Sequence, residues 1–126
     1  MNGLSLCILP ERLAVCRLPS DAPLPDLPTC TRFWSATRTG EELSVVLPEG
    51  AMQAGWKAEM GWRCLKVLGP LDFGLTGVLA AMAAPLAEAG VPIFAISTYD
   101  TDYILVKEEN LKQARQALLA SGHSVE

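Results

Sequence analysis

The stretch from Leu71 to Val106, LDFGLTGVLAAMAAPLAEAGVPIFAISTYDTDYILV, constrains the fold more than any other part of the chain. It opens with a glycine-bearing turn, Asp72-Phe73-Gly74-Leu75-Thr76-Gly77, and runs into small apolar residues, mostly alanine, suited to a helix packed close against another element. Gly90 and Pro92 punctuate it. A short apolar run, Pro92 to Ser97, then a polar corner, Thr98 to Asp102, and a second run, Tyr103 to Val106, follow. The pattern predicts helix, strand, tight polar connection, strand. Its polar groups gather in the loop before the helix and in the corner between the strands, and a small ligand is expected at those two places.

The rest of the composition narrows the class. The chain has 126 residues, half of them hydrophobic and 19% charged, which is the profile of a soluble globular protein. Two small modules are the most this length allows, and since a segment of roughly 60 residues is marginal alone, two halves would have to pack together. A net charge of -4 without a Lys/Arg cluster argues against a nucleic-acid partner. The N-terminus lacks the positive region of a signal peptide. Gly77 to Ile96 is long enough to cross a bilayer, but it is weakly apolar and broken by Pro85, Gly90 and Pro92, so a buried helix and strand are expected in place of a membrane span. The four cysteines, Cys7, Cys16, Cys30 and Cys64, show no CxxC spacing, and reduced, buried thiols in a cytoplasmic protein are the expectation.

Taken in order, Leu4 to Leu9 and Leu13 to Leu18 read either as two adjacent antiparallel strands or as one long, bent strand. Ser20 to Pro28 is too rich in proline for more than a helical turn. Thr31 to Thr37 and Leu43 to Leu47, joined by a polar connection containing Gly40, predict a hairpin. A short helix and the junction between halves are placed within Ala51 to Gly61, and Trp62 to Leu68 is the next strand. The helix from about Leu75 carries Val78, Leu79, Met82 and Leu86 at helical spacing, with a kink expected at Pro85, and Leu111, Ala114, Ala117 and Leu118 mark a second helix. His123 to Glu126 is long enough for a short edge strand. The second half thus reads βαββαβ, the ferredoxin-like order, with an antiparallel sheet and both helices on one face. The first half has strands enough for a similar unit but poor helices.

The residues Phe73 to Val78, Ala84-Pro85-Leu86-Ala87, Gly90-Val91 and above all Ile96-Ser97-Thr98-Tyr99-Asp100-Thr101-Asp102-Tyr103-Ile104-Leu105-Val106 resemble the ACT-domain family. The likeness is to the subgroup containing CASTOR-type arginine sensors and small bacterial tandem-ACT proteins, and more distantly to aspartate kinase regulatory domains. It implies an α+β fold of two side-by-side ACT modules, residues 1–60 with degenerate helices and residues 61–126. It also implies a homodimer and a free amino acid bound at a module interface, with no cofactor, no metal and no catalysis. Carried over by position, the ligand-binding residues are Asp72, Phe73, Gly74, Leu75, Thr76, Gly77, Thr98, Tyr99 and Asp102. Leu75 stands where the arginine sensors have an acidic residue, so arginine itself is not implied.

The residues support that reading on their own chemistry. Backbone N–H groups at a helix start, approachable beside Gly74 and Gly77, suit a carboxylate, while Asp102, with Asp100 near it, suits an ammonium or guanidinium. The plainer alternative is that the glycines serve a turn and the corner residues cap their own backbone. Two other classes compete. An enzyme would need partners that are missing, since Asp100 and Asp102 lack a third oxygen ligand for Mg²⁺ and the single His123 has no nucleophile motif around it. A ligand-independent assembly module would use exposed sheet edges.

Overall fold

The structure, a computed structural model, describes residues 3–27, 31–69 and 76–126. Its elements are β1 (Ser5–Leu18), β2 (Ser35–Arg38), β3 (Leu43–Pro48), β4 (Lys57–Val67), α1 (Val78–Glu88), β5 (Phe94–Ser97), β6 (Asp102–Lys107), α2 (Leu111–Ala120) and β7 (Ser124–Val125). They fall into two compact units, Met1–Pro10 with Arg63–Glu126, and Glu11–Trp62. A cut between residues 60 and 61 would therefore separate the first ten residues from the unit they pack in.

The two apolar runs at the N-terminus form the single strand β1, the second of the two alternatives. Proline usually interrupts a ladder because it has no N–H. Pro10 escapes this because β1 pairs with β7 at Ser5 and Leu6 and with β3 from Leu13 to Leu18, and Pro10 lies between the two ladders. The helix expected within Ala51 to Gly61 is absent; a single 3-10 turn, Glu49–Ala51, is followed by β4 from Lys57. Gly61, which looks like a helix stop in sequence, instead takes φ 79 inside the strand, and its N–H donates to Glu49 Oε2 at 2.6 Å. A glycine with positive φ bends a strand without a Cβ penalty, and the carboxylate takes up the displaced N–H.

In the larger unit the strand order is β7-β1-β4-β6-β5. The plain ferredoxin-like order would set β7 beside β4, so the N-terminal half of β1 occupies a place the βαββαβ pattern did not foresee. Strand directions explain why the β1–β7 pair is parallel. The Leu68 N–H donates to the Ser5 carbonyl while the Arg63 guanidinium reaches the Leu9 carbonyl, so β1 and β4 are antiparallel. Thr101 bonds to Val67 and Glu108 pairs with Arg63, so β4 and β6 are antiparallel as well. The crossover through α2 leaves β7 parallel to β6, and hence to β1. One parallel pair in an otherwise antiparallel sheet is the cost of inserting a strand.

Alternation along the strands assembles the core. Leu6, Leu65, Val67, Ile104, Val106 and Val125 share one sheet face, and α1 lays Val78, Met82 and Leu86 on it while α2 adds Ala114 and Leu118. Both helices therefore cover the same face, as the ferredoxin-like order requires. Leu79, placed on the apolar stripe by spacing alone, is 39% exposed.

α1 is continuous through Pro85, and its neighbours show how. A proline at 85 removes the N–H that would bond to the carbonyl four residues earlier, which is that of Ala81. His123 supplies the substitute: its Nε2 lies 3.0 Å from the Ala81 oxygen, while its Nδ1 accepts the Leu4 N–H at 3.0 Å. Since Nδ1 must accept, the ring is neutral with its proton on Nε2, and that proton is donated to Ala81. One buried imidazole thus ties the start of the chain, α1 and the turn into β7 together.

The smaller unit, Glu11–Trp62, contains the expected β2–β3 hairpin, in register from Ser35↔Val46 to Arg38↔Leu43. Thr39 Oγ1 closes its turn by accepting the Glu41 and Glu42 N–H groups. Ala14, Cys16, Leu18, Leu43, Val45 and Leu47 form its core with Trp56 packed against them, and no α-helix occurs among its described residues.

Replacing His123 by Ala is expected to lower stability by about 2 kcal/mol in urea denaturation, because two backbone groups lose their partner. In a Pro85→Ala background residue 85 can bond to Ala81 directly. The same histidine substitution should then cost about 1 kcal/mol less, a coupling read from the four-variant cycle.

Candidate functional site

The β5–β6 hairpin brings the corner residues into a defined turn. Ser97 pairs with Asp102 and Ile96 with Tyr103, and the Thr98 N–H donates to the Thr101 carbonyl at 2.9 Å. Thr98 Oγ1 donates to the same carbonyl at 3.0 Å and accepts the Thr101 N–H at 3.4 Å, so its hydroxyl is occupied within the turn. Tyr99 stands at the tip, 80% exposed. Asp102 begins β6 and by alternation shares the face of Ile104 and Val106, the face that α1 covers.

Thr101 fixes the turn to the rest of the sheet. It is 4% exposed, and its hydroxyl donates to the Val67 carbonyl at 2.6 Å, joining the corner to the end of β4. The helix start belongs at the same end. α1 leads through Ala89 to Ile93 into the far end of β5, so its own first turn lies towards the corner. There Gly77 takes φ 78 as the N-cap, no side chain caps the helix, and Thr76 and Gly77 are exposed. Asp72, Phe73, Gly74 and Leu75 lie outside the described residues.

An open pocket of about 150 Å³ occupies this end, lined among the described residues by Lys66, Gly69, Asp100 and Thr101. Lys66 and Asp100 carry opposite charges, and neither makes an ion pair or side-chain hydrogen bond with another described residue. The sequence reading singled out Asp100 but passed over Lys66, Gly69 and Thr101. The only hint in sequence was the polar Lys66 in the strand Trp62 to Leu68, and it becomes a pocket residue only because β4 lies beside β6.

Cys64 lies two residues before Lys66 on the same face of β4 and is fully buried. Burial, with a smaller contribution from Cys7, pushes its thiol up from 9.0 to about 12. It stays protonated near neutrality and is a poor nucleophile there. Burial raises the Cys16 thiol too. Cys7 is half-buried and, like these two, free; Cys30 lies outside the described residues.

An ACT domain model matches residues 57–120, just over half the chain. The chain belongs to the ACT-domain family. A second model, for an N-terminal domain, matches residues 11–52. The chain is 34% identical over 95 residues to the cytosolic arginine sensor for mTORC1 subunit 1 of Bos taurus, an alignment covering 64% of this chain and 28% of that protein. The chain thus spans little more than a quarter of that relative's length. The crystal structure of Atu0741 from Agrobacterium tumefaciens superposes with a TM-score of 0.93 at 32% identity, covering 100% of this ACT protein and 94% of that one. The regulatory subunit of aspartate kinase from Thermus flavus shares the fold, with a TM-score of 0.65 at 11% identity over 96% of this chain and 99% of that one. Among the described residues no helix is long and apolar enough to cross a membrane.

Thr101→Val should lower stability by about 1 kcal/mol and speed amide exchange in the 98–101 turn, since the Val67 carbonyl loses its buried donor. Cys64 makes a pH-dependent contribution of known sign. Its thiol is held protonated in the folded state, so its share of stability is complete below pH 9.0 and is lost as pH rises towards 12. Denaturation midpoints of the wild type should fall more steeply over that range than those of Cys64→Ala.

Proposed function

We propose that the protein is a non-catalytic regulator that binds a free amino acid or a similar small metabolite at an interface formed by its ACT module. The observation that carries this is the pocket at the corner end of the sheet, where Lys66 and Asp100 present charges of opposite sign that no other described residue pairs. A zwitterion needs both: its carboxylate pairs with an ammonium and its own ammonium with a carboxylate, by charge-assisted hydrogen bonds. The resemblance to a cytosolic arginine sensor points the same way.

In this reading the chain carries two ACT-like modules, an N-terminal one with degenerate helices and a C-terminal one, and works as a cytoplasmic homodimer. Asp72 to Gly77 and Thr98, Tyr99 and Asp102 remain the proposed contacts, to which Lys66 and Asp100 are added. Tyr99, at the tip of the turn, is the residue set to meet a neighbouring module over the bound ligand.

A thermal-shift screen of the free amino acids tests this. A ligand present at a hundredfold its dissociation constant should add about 2.7 kcal/mol of stability. Lys66→Met, Asp100→Asn and Asp102→Ala should each weaken binding in calorimetry about tenfold or more while leaving the melting temperature of the unliganded protein little changed. A protein that dimerises by light scattering yet answers to no amino acid would instead be a ligand-independent assembly module.

A further inference from the structure

β5 ends the strand order of its sheet, and the hairpin it forms decides which of its backbone groups turn outward. The Thr98 N–H donates to the Thr101 carbonyl, so Thr98 and Thr101 are a hydrogen-bonded pair. Such pairs alternate along an antiparallel ladder, which makes Ile96 with Tyr103 and Phe94 with Leu105 the next two. Ala95 and Ser97, opposite Ile104 and Asp102, fall between them, and their N–H and C=O groups point away from β6. Both residues are small and exposed, so a strand has room to approach along this edge.

An open edge templates pairing with another strand, and proteins commonly guard it with charge, proline or a covering segment. The edge strand β2 of the smaller unit is guarded in this way, since it ends on Arg38, whose guanidinium donates to the carbonyls of Ser20 and Ala22. β5 contains neither charge nor proline, and the sequence from Gly90 to Tyr99 has no charged residue.

The strand is also complementary to itself. Two copies laid antiparallel about a twofold axis at Ile96 set Ala95 of each opposite Ser97 of the other, and both pairs exchange N–H···O=C bonds in the two directions. The two Ile96 side chains meet at the axis on one face as a directly opposed apolar pair. On the other face only Ala95 and Ser97 meet, and neither is large enough to clash. Tyr99, two residues beyond Ser97 and 80% exposed, is carried towards the neighbouring copy.

Resting on the homodimer in the reading above and not on its ligand, we infer that the chain dimerises by pairing β5 with β5 of a second copy, antiparallel and centred on Ile96. Edge pairing over a strand of four residues makes a small interface, so the dimer is reversible and its population follows protein concentration.

Sedimentation equilibrium of the full chain, with residue-resolved amide exchange by NMR, tests this. Proline is tolerated on an edge strand where its missing N–H faces outward, so Ala95→Pro keeps every bond of the β5–β6 hairpin while removing a donor to the second copy. It should raise the dimer dissociation constant about tenfold or more, whereas Ala95→Thr, which keeps the N–H, should change it by no more than about twofold. In the wild type the Ala95 and Ser97 amides should be protected at concentrations where the dimer prevails and exchange freely on dilution, a reading that does not depend on the proline variant folding. A dimer whose Ala95 and Ser97 amides exchange freely at every concentration would overturn the β5 pairing and leave the homodimer to another surface. A chain that stays monomeric would overturn the inference and the homodimer together, leaving the edge to a strand of a different protein, while amino-acid binding is read separately by calorimetry.

Discussion

His123 holds α1 to the strands that begin and end the larger unit, and it does so by answering a defect that Pro85 creates. A proline at 85 leaves the Ala81 carbonyl without its helical donor, and the imidazole donates from Nε2 while accepting the Leu4 N–H at Nδ1. Three segments remote in sequence are thereby fixed by one neutral ring. Where α1 begins is set by how α1 lies on the sheet, and its first turn lies towards the same end as the β5–β6 corner. A helix free to swing about Pro85 could not keep its N–H groups aimed at a constant point.

Backbone hydrogen bonding also decides how β1 is used. Its first residues pair with β7 and its last six with β3, and the one residue that cannot donate, Pro10, sits between those ladders. This division explains why the compact units cross the order of the sequence, with the first ten residues belonging to the C-terminal one. The insertion of β1 beside β4 converts a four-stranded expectation into a five-stranded sheet, and the parallel β1–β7 pair is a direct consequence of the crossover through α2.

The candidate site shows how local and tertiary information divide. That the Thr98 to Asp102 corner is a tight turn between two strands was readable from its polar composition between two apolar runs. Which of its side chains line the pocket was not. Thr98 spends its hydroxyl on its own turn, Thr101 is buried against Val67, and Asp100 lines the pocket. Thr, Asp and Thr again are equivalent as a string; only the turn geometry tells them apart. Lys66 was invisible for a different reason, since nothing within WRCLKVL distinguishes a solvated lysine from one that lines a pocket with an aspartate thirty-odd residues away.

By itself the sequence determined the things that depend on neighbours along the chain: the periodicity of α1 and α2, the two hairpins, the βαββαβ order and through it the α+β class, and the likeness to the ACT family. Tertiary structure alone decided what depends on partners across it. It joined two apolar runs into β1, turned an expected helix near Gly61 into a bent strand steadied by Glu49, and gave His123 a purpose that no motif around it suggests. The physical reason is the same in each case. A residue's intrinsic preference is worth a few tenths of a kcal/mol up to about 1 kcal/mol, whereas a buried backbone group left without a partner costs about 1–3 kcal/mol, so the fold is settled wherever those partners are found.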